Sequence, residues 1–407
     1  MQMMRLLSIY VVALLLQSGA TFADDWTRFR GENGVGKSDL KGVPTEWKKD
    51  AYEWVVELPG KGHSSPVIQG DQLFVTTGSA DGKRTLHCLN ASTGKNIWED
   101  SIQLEANHLH KKNSYASGTP AIDSERVYVA FADEKQYTLL AYTLDGERLW
   151  SRDLGNFTSQ HGQGVSPIVY QGKVIVPDDQ KGPSKVVALN AETGEQVWST
   201  ADRKFRKTSY ATPMILSISG QDQVVCLSGA LGLSGLDPAT GRELWNSGEL
   251  PLRTVASPVL GEGLLFAGCG SGGRGKFMVA VDPAQKGKVI SERTQNLPYV
   301  PTPIAHEGHL YLWNDDGIVC CIDLAGDLSE NVWRERVGGV YSGSPVLIDG
   351  KMYCISEEGF VTVIDASPTY KKHGASPLGD ESYATPAVAN GRVYLRGFHS
   401  LACLKAK

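Results

Sequence analysis

Pro167-Ile168-Val169-Tyr170-Gln171-Gly172-Lys173-Val174-Ile175-Val176 reads as a strand opened by proline, a turn carrying glycine, and a second strand of β-branched residues. Pro345-Val346-Leu347-Ile348-Asp349-Gly350-Lys351-Met352-Tyr353-Cys354 repeats it. Eight Ser/Thr-Pro pairs open such a stretch, with prolines at Pro66, Pro120, Pro167, Pro213, Pro258, Pro303, Pro345 and Pro386. Successive separations are 54, 47, 46, 45, 45, 42 and 41 residues. A period of this length filled with short strands means one supersecondary unit used many times.

Each unit predicts four antiparallel strands. Proline is tolerated at the first residue of the first strand, where no ladder N–H is required. The second strand is a Val-Tyr-Val type segment, as in Val127-Tyr128-Val129 and Val393-Tyr394-Leu395. The third ends in turns such as Asn90-Ala91-Ser92-Thr93-Gly94 and Asn190-Ala191-Glu192-Thr193-Gly194. There Asn bonds its own backbone and Gly takes the left-handed position. The fourth carries a Trp, at Trp98, Trp150, Trp198, Trp245 and Trp333, placed to pack between neighbouring sheets. The fifth and seventh units lack it.

Four-stranded sheets repeated eight times predict an all-β fold, an eight-bladed β-propeller of antiparallel blades. The last unit has three strands before the chain stops at Lys407. Its fourth is available in Trp54-Val55-Val56-Glu57-Leu58, so an N-terminal strand is expected to complete the last blade and remove an open edge. The organisation read is a signal peptide over 1–23, an N-terminal extension over 24–51, and a single propeller over 52–407. Arg5, the apolar run Leu6 to Leu16 and Thr21-Phe22-Ala23 supply the three parts of an export signal, so the protein is expected to be exported, periplasmic or secreted. No membrane span is expected after cleavage.

The chain of 407 residues carries a formal charge of −5, with 21% charged and 41% hydrophobic residues. That balance argues against a nucleic-acid partner. The tightest basic cluster, Arg203-Lys204-Phe205-Arg206-Lys207, reads as a solvated loop. Gly268 to Lys276 is glycine-rich but joins two strands, so it reads as a hairpin loop and not a phosphate cradle. Seven cysteines, an odd number lying mostly within strands, read as small buried residues. Cys320 and Cys321 should point to opposite faces of one strand.

Lys185-Val186-Val187-Ala188-Leu189-Asn190-Ala191-Glu192-Thr193-Gly194-Glu195-Gln196-Val197-Trp198 resembles the pyrroloquinoline-quinone (PQQ) type propeller repeat. Two further stretches narrow the likeness. These are Trp26-Thr27-Arg28-Phe29-Arg30-Gly31 with Pro44-Thr45-Glu46-Trp47, and Pro59-Gly60-Lys61-Gly62-His63-Ser64-Ser65-Pro66. They are similar to the N-terminal signature of exported, BamB-like PQQ-repeat proteins abundant in planctomycetes.

The resemblance implies two functions. One is a non-catalytic, envelope-associated scaffold for partner proteins, monomeric and without a cofactor. The alternative is a PQQ-dependent dehydrogenase oxidising an alcohol or sugar, with PQQ and Ca²⁺ in the central funnel. Calcium needs converging oxygens, and Asp178 and Asp179 are the best local carboxylates, although acidic pairs at strand ends read first as solvated turns. A binding rim is argued from position. Just before the eight prolines stand His63, Tyr115, His161, Tyr210, Arg253, Tyr299, Tyr341 and Tyr383. They are expected to meet at one funnel mouth and to bind a peptide segment of an envelope protein, or a small ligand.

Overall fold

The computed structural model describes residues 25–272 and 274–407. The export signal read over 1–23 lies outside the described residues. Eight antiparallel sheets follow one another in chain order, and the first seven begin at Val67, Ala121, Ile168, Met214, Val259, Ile304 and Val346. The eighth blade holds Ala387–Ala389, Arg392–Arg396 and Ser400–Lys405. Trp54–Glu57 completes it, with Trp54 opposite Cys403 and Glu57 opposite Ser400. The two ends of the chain thus share one sheet, which closes the ring with every blade complete.

No blade buries a core alone, so the apolar clusters lie between sheets. Phe74, Leu86 and Cys88 of blade 1 pack with Val127, Val129 and Leu140 of blade 2. Each outer-strand Trp lies across a small residue of its own blade: Cys88 under Trp98, Ala141 under Trp150, Ala188 under Trp198, Gly235 under Trp245, Cys321 under Trp333. The indole then reaches the hairpin turn of the next blade. Trp98 Nε1 donates to Leu144 O at 2.8 Å, Trp150 to Ala191 O at 3.1 Å and Trp198 to Pro238 O at 3.0 Å. The turns are built as their sequence predicts. Thr193 N–H donates to Asn190 Oδ1 at 2.9 Å and Gly194 N–H to Asn190 O at 2.8 Å. All seven cysteines are free and buried, and Cys320 and Cys321 enter different clusters on opposite faces of blade 6.

The Ser/Thr of the repeat signature has a role that its sequence does not announce. Seven of the eight hydroxyls accept the backbone N–H of the Ser/Thr one blade earlier. Ser65 N–H donates to Thr119 at 2.9 Å, Thr119 to Ser166 at 3.0 Å, Thr212 to Ser257 at 3.0 Å and Ser257 to Thr302 at 3.0 Å. Thr302 donates to Ser344 at 2.9 Å, Ser344 to Thr385 at 3.0 Å, and Thr385 back to Ser65 at 3.1 Å. The link from Ser166 to Thr212 is missing, so the ring has seven of eight joints.

The extension is bound into the propeller. Trp26 bridges to Ile68, Thr27 O accepts the Ile122 N–H, and Arg28 Nη2 donates to Pro213 O. Arg30 is buried and donates to Thr302 O at 3.2 Å, Pro303 O at 3.0 Å and Pro345 O at 3.0 Å. The segment therefore crosses the axis, touching the innermost strands of five blades. Lys37–Ser38 then runs parallel to Leu347–Ile348 and makes blade 7 five-stranded, which the sequence reading of four strands per blade did not foresee. Further on, Trp47 N–H donates to Ser376 Oγ and the Tyr52 hydroxyl to Pro377 O. These aromatic residues cover the outer strand of blade 7, one of the two blades without an outer-strand Trp.

Candidate functional site: the central funnel

All eight signature Ser/Thr residues line one cavity of about 790 Å³ on the axis, and Phe29 of the extension forms part of its wall. Because Arg28 and Arg30 anchor that segment across the inner strands, one end of the channel is plugged. The opposite end is a mouth framed by the loops that enter the inner strands.

Six of the eight expected rim residues line this funnel: His63, His161, Tyr210, Arg253, Tyr299 and Tyr383. Two do not, which narrows the expectation of an eight-membered rim. The Tyr115 phenol donates to Asn107 O at 2.6 Å, and its ring lies 3.7 Å from the Arg84 guanidinium, outside the funnel. Tyr341 is 1% exposed, with its hydroxyl 2.9 Å from Thr362 Oγ1 and its ring edge-on to Trp313. The offset of these residues from the proline varies between units and the approach is irregular backbone, so position before the proline does not fix facing.

The lining is aromatic and cationic. His63 sits between the rings of Tyr383 and Phe398, at centroid distances of 4.7 and 4.9 Å. Burial, with the charges of Lys61 and Arg396, depresses it to about 3, so it is a neutral imidazole. His161 stacks on His110 at 4.4 Å and is lowered to about 4 by burial, then by Arg253 and His110. The Tyr210 hydroxyl pairs with Ser159 Oγ at 2.8 Å. Arg253 Nη2 donates to Gln160 Oε1 at 3.0 Å, and Nη1 donates to the Tyr299 hydroxyl at 3.3 Å.

Several lining residues escaped the sequence reading. His110 and Lys112 come from the loop between blades 1 and 2, and Lys112 Nζ reaches Glu357 of blade 7 at 2.7 Å across the mouth. The signal was the 54-residue first spacing, the longest of the seven, because a long connection between short strands is usually functional. Lys207 also faces the funnel, and Arg203 turns inward to Ser228 and Ser234, which corrects the reading of that basic cluster as wholly solvated. Lys276 pairs with Asp315 at 2.7 Å, while the Tyr299 and Val300 amides donate to the same carboxylate.

Asp178 and Asp179 are not a solvated turn. Both are buried away from the funnel. Asp178 accepts from Gln180 Nε2 at 2.8 Å and is pushed up to about 7 by burial. Asp179 is also raised by burial, opposed by Arg203 at 3.9 Å. Among the described residues no three His, Cys, Asp or Glu side chains converge to hold a metal ion.

Residues 37–210 and 157–327 match the family described as outer membrane protein assembly factor BamB. The BamB of Yersinia pestis is 22% identical over 395 residues, which are 96% of this chain and 86% of that protein. Among solved structures, BamB from Moraxella catarrhalis aligns with a TM-score of 0.60 at 16% identity, covering 87% of this chain and 97% of that one. The quinohemoprotein alcohol dehydrogenase of Comamonas testosteroni aligns with a TM-score of 0.65 at 14% identity, over 93% of this chain and 80% of that one. At these identities the structural likeness is one of fold, and it does not separate scaffold from enzyme. The match over most of the sequence does assign the family: the chain belongs to the PQQ-repeat β-propellers typified by the outer membrane protein assembly factor BamB.

Proposed function

We propose that the protein is an exported, non-catalytic, monomeric scaffold that binds a segment of an envelope partner in its funnel mouth. The observation that carries this is the blind, roomy cavity walled by His63, His161, Tyr210, Arg253, Tyr299 and Tyr383. Tyr and Arg combine contact area with a polar tip, as residues at the centre of binding surfaces do. The name of the family relative, an outer membrane assembly factor, supports an envelope partner and a periplasmic or secreted location. No helix among the described residues is long and apolar enough to cross a membrane.

The alternative is a PQQ-dependent dehydrogenase. Calcium takes about 6–8 oxygen ligands at close range. Here Asp178 and Asp179 lie outside the funnel, which has Asp315 and Asp316 as its carboxylates, and Asp315 is already engaged by Lys276 and two amides. These residues do not fit a calcium–quinone pair, and no oxidation step is assigned to them.

Site-specific photo-crosslinking in intact cells tests the scaffold reading. A crosslinker at Tyr210 or Tyr383 should trap one discrete envelope protein, while one at the exposed outer-strand Val197 should not. The Tyr210→Ala, Tyr383→Ala double variant should lose that partner. Saturable binding of PQQ with Ca²⁺, coupled to dye-linked oxidation of an alcohol or sugar, would overturn the reading.

A further inference from the structure

We propose that Arg253 anchors a carboxylate of the segment that enters the funnel, so that the bound segment is an acidic peptide. This rests on the reading of the funnel as a binding site.

Arg253 is 8% exposed and lines the cavity. No carboxylate of the described residues lies within salt-bridge distance of it. Its contacts are all neutral: Gln160 Oε1 at 3.0 Å, the Tyr299 hydroxyl at 3.3 Å, and His161 Nε2 at 3.5 Å. Its Nε has no partner at all. A guanidinium held this deeply without a counter-charge is costly, and such groups are normally paired. Lys112 and Lys276 show the contrast, since Lys112 has Glu357 and Lys276 has Asp315, each at 2.7 Å, while Lys111 and Lys207 are exposed to solvent. The wall as a whole is cationic, with Lys111, Lys112, Lys207, Arg253 and Lys276 against Asp315 and Asp316, in a chain whose formal charge is −5.

The chemistry of the missing partner follows from the donor. A planar guanidinium matches a carboxylate through two parallel N–H bonds. Gln160, the acceptor now in place, is an exposed residue of an irregular loop, so an incoming carboxylate can replace its neutral amide oxygen with a charged one. Tyr210, Tyr299 and His161 stand around the guanidinium and provide aromatic faces for the residues that flank the acid. The cavity, about 790 Å³, has room for several residues and not only an isolated ion. Both features favour a peptide over a free small acid.

Fluorescence polarisation with the folded protein tests this. The probe is a labelled ten-residue peptide alternating Glu or Asp with Phe, and its control is the same peptide with Gln and Asn in place of the acids. The acidic peptide should bind, the amide peptide should bind at least tenfold more weakly, and added salt should weaken the complex. Arg253→Gln should lower affinity for the acidic peptide tenfold or more, and Arg253→Lys should recover only part of it, because an ammonium lacks the fork. Lys95→Gln, on an exposed outer turn, should bind as the parent does. The Arg253 carbonyl, which accepts the Gly270 N–H, is untouched by these changes, and matching melting curves will establish that the variants fold.

Equal binding of the acidic and amide peptides, or full binding by Arg253→Gln, would overturn the anchor. Succinate displacing the peptide at comparable affinity would make the ligand a free small carboxylate and overturn the peptide assignment. If the acidic peptide fails to bind while Tyr210 and Tyr383 still crosslink a partner, the anchor falls and the funnel reading stands. If crosslinking fails as well, both fall.

Discussion

The backbone N–H of Thr385 donates to Ser65 Oγ at 3.1 Å, joining residues 320 positions apart. It is the joint at which the last blade meets the first, made with the same chemistry as six other joints around the axis. The Ser/Thr before each proline is thus a circular fastening placed where every innermost strand begins. A backbone donor buried at that point has no water to turn to, which is why a hydroxyl recurs there.

Removing one hydroxyl should expose that cost. Thr385→Val leaves the Ser344 amide without its acceptor, and an orphaned buried amide costs about 1–3 kcal/mol. Thr385→Ser should stay near the parent. Thr212→Val should cost less than Thr385→Val, because the Ser166 amide makes no such bond to Thr212. Urea unfolding midpoints of the three variants check the order.

Gly146 tests the contact between a Trp and the turn of the next blade. Its φ is +97°, and a Cβ there would lie 2.7 Å from the Trp98 ring. Gly146→Ala should destabilise by about 1–3 kcal/mol through strain and displaced packing together. Gly155 has a similar φ of +107° with nothing within 4 Å of its Cβ. Gly155→Ala therefore reports backbone strain alone, and the difference between the two melting temperatures isolates the Trp98 contact.

Arg30 holds the plug. Arg30→Met leaves the carbonyls of Thr302, Pro303 and Pro345 without this donor, and bonds from a charged donor are worth about 1.5–3 kcal/mol each before any local relaxation. The variant should show faster amide exchange at residues 26–38 than at the blade strands, measured by mass spectrometry. Uniform exchange across the chain would show that the plug is held elsewhere.

Asp178 gives the fold a pH dependence of definite sign. Its folded value, about 7, stands above the ordinary value of 3.8. The stability it contributes is full below 3.8 and is lost as pH rises through about 7. Asp178→Asn, which keeps an acceptor for Gln180, should raise the melting temperature at pH 8 by a few degrees and leave it nearly unchanged at pH 4. His63 acts in the opposite sense. Its folded value is depressed to about 3, so the stability of its neutral form is present above 6.5 and is lost as pH falls through about 3. His63→Phe should therefore flatten the acid side of the profile.

Much of this was legible in the repeat. The blade count, the strand borrowed from Trp54, the Trp packing and the opposed faces of Cys320 and Cys321 all follow from period-2 alternation and a fixed spacing, which are local properties of the chain. The site was legible only in part. Tyr299 and Tyr341 both stand four residues before their proline, yet Tyr299 faces the funnel and Tyr341 packs on Trp313. The loops before the inner strands have no regular period, so their side chains take directions set by neighbours from other blades.

By itself, then, the sequence determined the architecture, because a repeated strand pattern that cannot bury its faces alone has to stack, and eight stacked units close on the spare N-terminal strand. Only the tertiary structure decided what the centre is. It brought Arg28, Phe29 and Arg30 across the axis as a plug, carried Lys112 over the mouth to Glu357, and left Arg253 among neutral partners. Such contacts join residues tens to hundreds of positions apart and depend on side-chain direction after the ring has closed, which no local pattern encodes.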